Sequence, residues 1–179
     1  MQRVEVRNTY EILPEHIQSD KSILAIKSKY AFRLSLNSDG SFKFKVRLVA
    51  CGYSQIYGKD FNETFSPTAK FRSFTTIMNL ATIFNWEING LDVENAFIET
   101  DIDIPINMYL PADVYRNPDG SRVKVKLKKS LYGLKQAGEL WYQNLREKII
   151  SNGYKPLIHD TCVYIKRDLE KGHVTIVIC

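Results

Sequence analysis

The sequence predicts a globular chain of mixed helix and strand, on three observations. Runs of alternating apolar and polar residues flank clusters of Asn, Asp and Gly, the pattern of β-hairpins. Two other stretches, residues 74–84 and 140–150, repeat apolar residues at three and four, the spacing of an amphipathic helix. The chain is 179 residues long, 44% apolar and 12% aromatic, enough hydrophobic material for a sizeable core. Lys and Arg outnumber Asp and Glu by 25 to 20, and the resulting +5 mildly favours a polyanionic partner. Cys51, Cys162 and Cys179 are scattered and odd in number, which reads as reduced thiols in an intracellular protein rather than a disulfide framework or a metal site. No apolar run approaches the ~18 residues of a membrane span.

Residues 8–14 (Asn8-Thr9-Tyr10-Glu11-Ile12-Leu13-Pro14) read as an ordinary surface segment. From residue 28 to 36, Tyr30, Phe32, Leu34 and Leu36 fall on one face and Arg33 and Ser35 on the other, a half-buried strand. Asn37-Ser38-Asp39-Gly40 supplies a turn, and Phe42, Phe44, Val46 and Leu48 then alternate with Lys43, Lys45 and Arg47. A ribbon with cations at period two suits phosphates, although a solvated edge kept soluble by lysines fits the pattern equally well. Residues 52–65 are irregular. Ser73 is expected to cap a helix carrying Phe74, Ile77, Met78, Leu80, Ala81 and Phe84. Residues 86–93 read as a strand that carries Asp92 to its end, and a turn follows. Glu99, Asp101 and Asp103 read as surface acids rather than metal ligands. Residues 109–118 form a Pro-containing connection that ends in the turn Asn117-Pro118-Asp119-Gly120.

Residues 122–129 alternate again, with Val123, Val125 and Leu127 expected inward and Arg122, Lys124, Lys126 and Lys128 outward. Six basic residues and no acid lie between Arg122 and Lys135, a stripe suited to tracking a nucleic-acid backbone, with a solvated lysine face as the rival reading. Gln136 opens a second helix carrying Leu140, Trp141, Leu145, Ile149 and Ile150, closed by Asn152-Gly153 in a left-handed cap. Residues 162–166 and 174–179 read as a closing hairpin. No Gly-rich phosphate loop, Cys/His metal spacing or nucleophile elbow is present.

Three motifs occur in an order that carries a family resemblance: Phe65-Ser66-Pro67-Thr68-Ala69-Lys70, then Leu91-Asp92-Val93-Glu94-Asn95-Ala96-Phe97, then Lys129-Ser130-Leu131-Tyr132-Gly133-Leu134-Lys135-Gln136-Ala137 with Trp141-Tyr142 after it. Together they resemble the reverse transcriptase domain of Ty1/copia-type retrotransposons, part of a Pol polyprotein, and Asn8 to Pro14 is similar to the segment that opens that domain. A Pro common in the family after the Gln-Ala pair is replaced by Gly138. The resemblance implies an α+β fold, the fingers and incomplete palm of a right-hand polymerase, with an antiparallel sheet backed by helices. Residues 1–84 and 113–136 would form the fingers-like lobe, and 85–112 and 137–179 the partial palm.

The implied activity is RNA-directed DNA synthesis, an in-line phosphoryl transfer in which two Mg²⁺ ions stabilise the attacking and leaving oxygens. By resemblance Asp92 is the catalytic, metal-binding carboxylate and the Val93 carbonyl part of a metal shell. Lys45 or Arg47 grips the nucleotide's triphosphate, Phe97 excludes a ribose 2′-hydroxyl, and Gln136 helps place the nucleotide. Lys124, Lys126, Lys128 and Lys135 would follow the nucleic acid. The implied partners are an RNA or DNA template-primer and a dNTP, with no membrane, in the cytoplasm, a virus-like particle or the nucleus. The family's other two carboxylates come from a YVDD-like hairpin, and this sequence stops in the strand that would enter it. Polymerase inactivity of the chain alone is therefore expected, with association through an unpaired palm edge. Two other readings stay open: a non-enzymatic nucleic-acid-binding module of retroelement origin that makes no use of Asp92, and a relic without function.

Overall fold

The structure is a computed structural model that describes residues 8–37, 39–168, 170 and 172–179. Its elements run β1 (Tyr10–Ile12), α1 (Glu15–Gln18), β2 (Ser28–Leu36), β3 (Phe42–Ala50), α2 (Phe71–Ile83), β4 (Asn107–Tyr109), β5 (Lys124–Leu127), α3 (Ala137–Ser151), β6 (Lys155–Pro156), β7 (Val163–Asp168) and β8 (His173–Ile178). Single turns of 3-10 helix lie at Gly52–Ser54 and Ala96–Glu99. Every pairing between these strands is antiparallel, so helix and antiparallel sheet are mixed, compatible with an α+β fold. Two compact units divide the chain: Met1–Phe65 with Asn95–Trp141, and Ser66–Glu94 with Tyr142–Cys179.

The first unit is built on a three-stranded sheet in the order β1-β5-β4. Val125 and Leu127 of the central strand are sealed from solvent with Met108 of β4, in a core that also takes in Ile26, Leu48, Ala50, Ile98, Leu131 and Leu134. Burying each such side chain contributes about 1.5–3 kcal/mol. Two expectations fail at the sheet's flanks. Residues 8–14 are not a plain surface segment, because β1 pairs Tyr10 with Leu127 and the Thr9 carbonyl accepts the amides of Lys128 and Lys129. Tyr109 likewise ends a strand, paired with Lys124, before the Pro-containing connection begins.

β2 and β3 form the expected hairpin, in register from Ser28–Ala50 to Leu36–Phe42. Its turn is closed by Asn37 N donating to Ser41 O and Gly40 N to Asn37 O, while Ser38 lies outside the described residues. The same Asn-x-Asp-Gly-Ser pattern closes the turn at Asn117–Ser121, where Asn117 N donates to Ser121 O and the serine amide to Asp119. The hairpin is buried only at its base. Phe32 and Phe44 are 78% exposed, and Leu34, Leu36, Phe42 and Val46 are open as well, so the half-buried strand expected from alternation is half-buried only around Leu48 and Ala50.

In the second unit α2 starts at Phe71, two residues before the expected cap. Ser73 therefore sits within the first turn. The free amide at the helix start is met instead by Asp160, whose carboxylate accepts Lys70 N at 2.8 Å and Cys162 N at 3.2 Å and is hydrogen-bonded by the Ser73 side chain. Of the apolar positions on α2 only Ala81 is buried, and Phe74 and, just past the helix, Phe84 are exposed. The strand expected at residues 86–93 does not form. Trp86, Ile88, Leu91 and Val93 are all exposed, and no described neighbour supplies the ladder of hydrogen bonds a strand needs. α3 closes as expected, with Gly153 at φ 85°, Gly153 N donating to Ile150 O and Tyr154 N to Ile149 O. The closing hairpin is β7–β8, in a sheet ordered β6-β7-β8 that leaves β8 at the edge.

Candidate functional site

In the first unit, three side chains from distant parts of the sequence meet. β3 brings Arg47, whose guanidinium lies 5.2 Å from the centre of the Tyr132 ring. The turn Ala96–Glu99 brings Phe97, whose ring meets Tyr132 edge-on at 4.8 Å and 75°. That turn is set by Asn95 at φ 57°, with Ile98 N donating to Asn95 O, and by Ile98 entering the core while Phe97 packs at the core's margin. Tyr132 is delivered by the loop after β5, between buried Leu131 and Gly133 at φ 88°.

The loop is locked against the end of β3. Ala50 N donates to Tyr132 O at 2.8 Å, and a Cβ on Gly133 would collide with the Ala50 carbonyl, as one on Gly52 would with the Gly133 carbonyl. Gln55 and Gln136, 4% and 1% exposed, complete the lock. Gln55 Nε2 donates to Gln136 Oε1 at 3.0 Å, Gln136 Nε2 to the Asp60 carbonyl at 2.9 Å, and Lys135 N to Gln55 Oε1 at 2.8 Å. The Gln136 amide, expected to help place a nucleotide, thus has its polar ends matched inside the protein. Nothing in the sequence pointed to Gln55.

The hairpin face opposite the phenylalanines carries Lys29, Arg33, Lys43, Lys45 and Arg47 and no acid, with Arg33 directly across from Lys45. Lys45 is exposed, whereas Arg47 is partly buried.

The outward stripe expected at residues 122–135 is broken at Lys124, which is 2% exposed. Its Nζ donates to the Ile17 and Asp20 carbonyls and lies 5.8 Å from the Tyr109 ring centre, and its amide donates to Gln18 Oε1 at 2.7 Å. The side chain turns inward because the Ile17 carbonyl in α1 and the Asp20 carbonyl just past it need hydrogen-bond donors, which the ammonium supplies. Lys126 is partly exposed, Lys128 pairs with Glu11 at 3.0 Å, and Lys135 Nζ lies over the Phe61 ring at 4.7 Å. Of the acids after Phe97, Asp101 pairs with Lys129 at 2.6 Å and Asp103 accepts a long bond from Gln136.

In the second unit Asp92 is exposed in a stretch without helix or strand, beside Val93 at 47% exposure.

Residues 8–179 match the family described as Reverse transcriptase (RNA-dependent DNA polymerase). The chain belongs to that family. It is 34% identical over 99% of its length to the Retrovirus-related Pol polyprotein from transposon TNT 1-94 of Nicotiana tabacum, and 34% identical over 92% to that from transposon RE1 of Arabidopsis thaliana. Over 81% of its length it is 30% identical to the Transposon Ty1-MR1 Gag-Pol polyprotein of Saccharomyces cerevisiae. These relatives place it with the reverse transcriptase region of Ty1/copia-type elements. The chain spans 13%, 11% and 8% of those three polyproteins. No solved structure gives a significant match.

Family membership implies Mg²⁺, so the carboxylates can be tested for fit. A two-metal centre needs several carboxylate oxygens converging from fixed positions. Among the described residues no three His, Cys, Asp or Glu side chains gather to hold a metal, and Asp92 stands on unpaired backbone. The described residues do not by themselves assemble the carboxylates of a two-magnesium centre. No described helix is long and apolar enough to cross a membrane.

Proposed function

We propose that this chain supplies the fingers and part of the palm of a copia-type reverse transcriptase, residues 1–84 with 113–136 as the fingers-like lobe and 85–112 with 137–179 as the partial palm. In that role it takes up a dNTP and an RNA or DNA template-primer. The observation that carries the reading is the cationic face of the β2–β3 hairpin running into Arg47, Tyr132 and Phe97. Like charges directly across a ladder repel, as Arg33 and Lys45 do, and a triphosphate laid along that face relieves the repulsion. Arg47 is favoured over Lys45 for the closest phosphate contact, because a guanidinium already resting on a ring loses less freedom on binding than an exposed lysine.

Phe97 excludes a ribose 2′-hydroxyl by bulk. Gln136 acts on the nucleotide at second hand, by holding the loop that presents Tyr132. Lys126, Lys128 and Lys135 follow the nucleic-acid backbone, while Lys124 is left to the fold. Asp92 is one member of a carboxylate set, with the Val93 carbonyl beside it, and Mg²⁺ held by one carboxylate keeps mostly water. The 179-residue polypeptide by itself therefore binds without synthesising. A second reading, a nucleic-acid-binding module that makes no use of Asp92, draws support from the exposure of that residue on unpaired chain.

Anisotropy of a labelled template-primer titrated with the chain across a salt series tests the proposal. Expected is a linear fall of log affinity with log salt, made shallower by Lys126→Ala. Absent or salt-insensitive binding overturns it. An Asp92→Asn variant whose dNTP affinity answers to Mg²⁺ as the wild type's does favours the second reading.

A further inference from the structure

Tyr132 is the residue that both Arg47 and Phe97 contact. Its ring meets both the guanidinium, at 5.2 Å, and the edge-on phenylalanine, at 4.8 Å. Its own place is fixed by the Ala50–Tyr132 backbone bond, by the glycine at 133 and by the buried Gln55–Gln136 pair. The backbone at Tyr132 is thus constrained from several directions, and its ring is the group that Arg47 and Phe97 both contact.

We propose that Tyr132 is a positioning residue that fixes Phe97 and Arg47 in one mutual arrangement and thereby sets how strongly the site distinguishes a deoxyribonucleoside triphosphate from its ribonucleoside counterpart. The inference rests on the proposed nucleotide site. Exclusion of a hydroxyl by bulk works only if the excluding ring cannot swing away, and the distance from ring to phosphate grip decides where the sugar sits. An edge-on aromatic contact holds such a ring with geometric preference beyond simple burial. The phenolic hydroxyl takes no part in either contact, so the argument needs the ring and not the oxygen.

The test is equilibrium binding of fluorescent dATP and ATP to the full chain and to Tyr132→Phe, Tyr132→Leu and Arg47→Ala variants, with circular dichroism melts as the check on folding. The wild type is expected to favour dATP. Tyr132→Phe keeps that preference, and Tyr132→Leu reduces it by up to about tenfold, the range a single aromatic contact is worth. Arg47→Ala weakens both nucleotides together. A folded Tyr132→Leu variant with the wild-type preference overturns the inference and leaves the nucleotide site standing. Loss of preference in Tyr132→Phe also overturns it, because the hydroxyl would then be the cause. A wild type that binds neither nucleotide removes the site and the inference with it. Should Tyr132→Leu fail to fold, Tyr132→Phe and Tyr132→Trp decide: an unchanged preference across rings of different size refutes a spacer role, and a shift with Trp supports it.

Discussion

At the scale of single residues, Lys124 separates charge that serves the fold from charge open to a ligand. Its alternation partner Lys126 is the same residue type on the same strand, yet Lys124 is buried on the Ile17 and Asp20 carbonyls and Lys126 is not. Lys124→Ala is expected to lower stability by about 2–4 kcal/mol, through lost packing and stranded carbonyls, without changing the salt slope of nucleic-acid binding. Lys126→Ala should do the reverse, with Tm unchanged within a degree or two and a salt slope reduced by about 1. Denaturant melts and salt-titrated anisotropy on both variants check the pair. Gly133→Ala is expected to cost about 2–4 kcal/mol in the same melts, because the position combines a positive φ with a backbone oxygen where the Cβ would sit. Period-two reading assigned all four basic residues of the strand to one face, and it could not see that a four-residue helix would arrive over one of them. Arg47 and Lys45 were visible as a pair, but which of them rests on an aromatic ring depends on a loop some 80 residues on, and sequence spacing carries no such information.

At the scale of elements, the β2–β3 hairpin was legible because two nine-residue strands give the alternation room to show, and because Asn, Asp and Gly sit where the turn needs them. β1 and β4 were not, since three residues are too few for a period to register. Residues 86–93 were misread for a different reason: alternation describes a face, and a strand also requires a neighbour to bond. The α2 start shows a tertiary cap replacing a local one. Ser73 was a sound candidate by type, but Asp160, some 90 residues later, takes both the Lys70 amide and the serine hydroxyl. The Ser73 hydrogen bond, then the Lys70 and Cys162 amides, hold the Asp160 carboxyl below its ordinary value of 3.8. A depressed native pKa means that this carboxylate stabilises the fold above the unfolded-state pKa and that its contribution fades as pH falls through the native value. Asp160→Ala is expected to cost about 1.5–3 kcal/mol at pH 7, with the gap to wild type closing below about pH 4. Urea melts across that range test it, and a gap that widens on acidification refutes the assignment.

At the scale of the whole molecule, family membership was readable from three ordered motifs, and residues 8–179 match the family as those motifs implied. The arrangement behind the motifs was less readable. The motif at residues 129–137 drew attention to Gln136 for the nucleotide, whereas the buried glutamine pair engages that amide and Tyr132 is the residue that Arg47 and Phe97 both contact. The central proposal is that these 179 residues hold nucleotide and nucleic-acid contacts of a copia-type reverse transcriptase and, in Asp92, one member of its carboxylate set. Extension of an end-labelled primer on an RNA template, with dNTPs and Mg²⁺ and with protein saturating the template-primer, tests that claim most directly. The account predicts a primer that is bound and retarded but not lengthened by a single nucleotide. Lengthened product that disappears in the Asp92→Asn variant would contradict it.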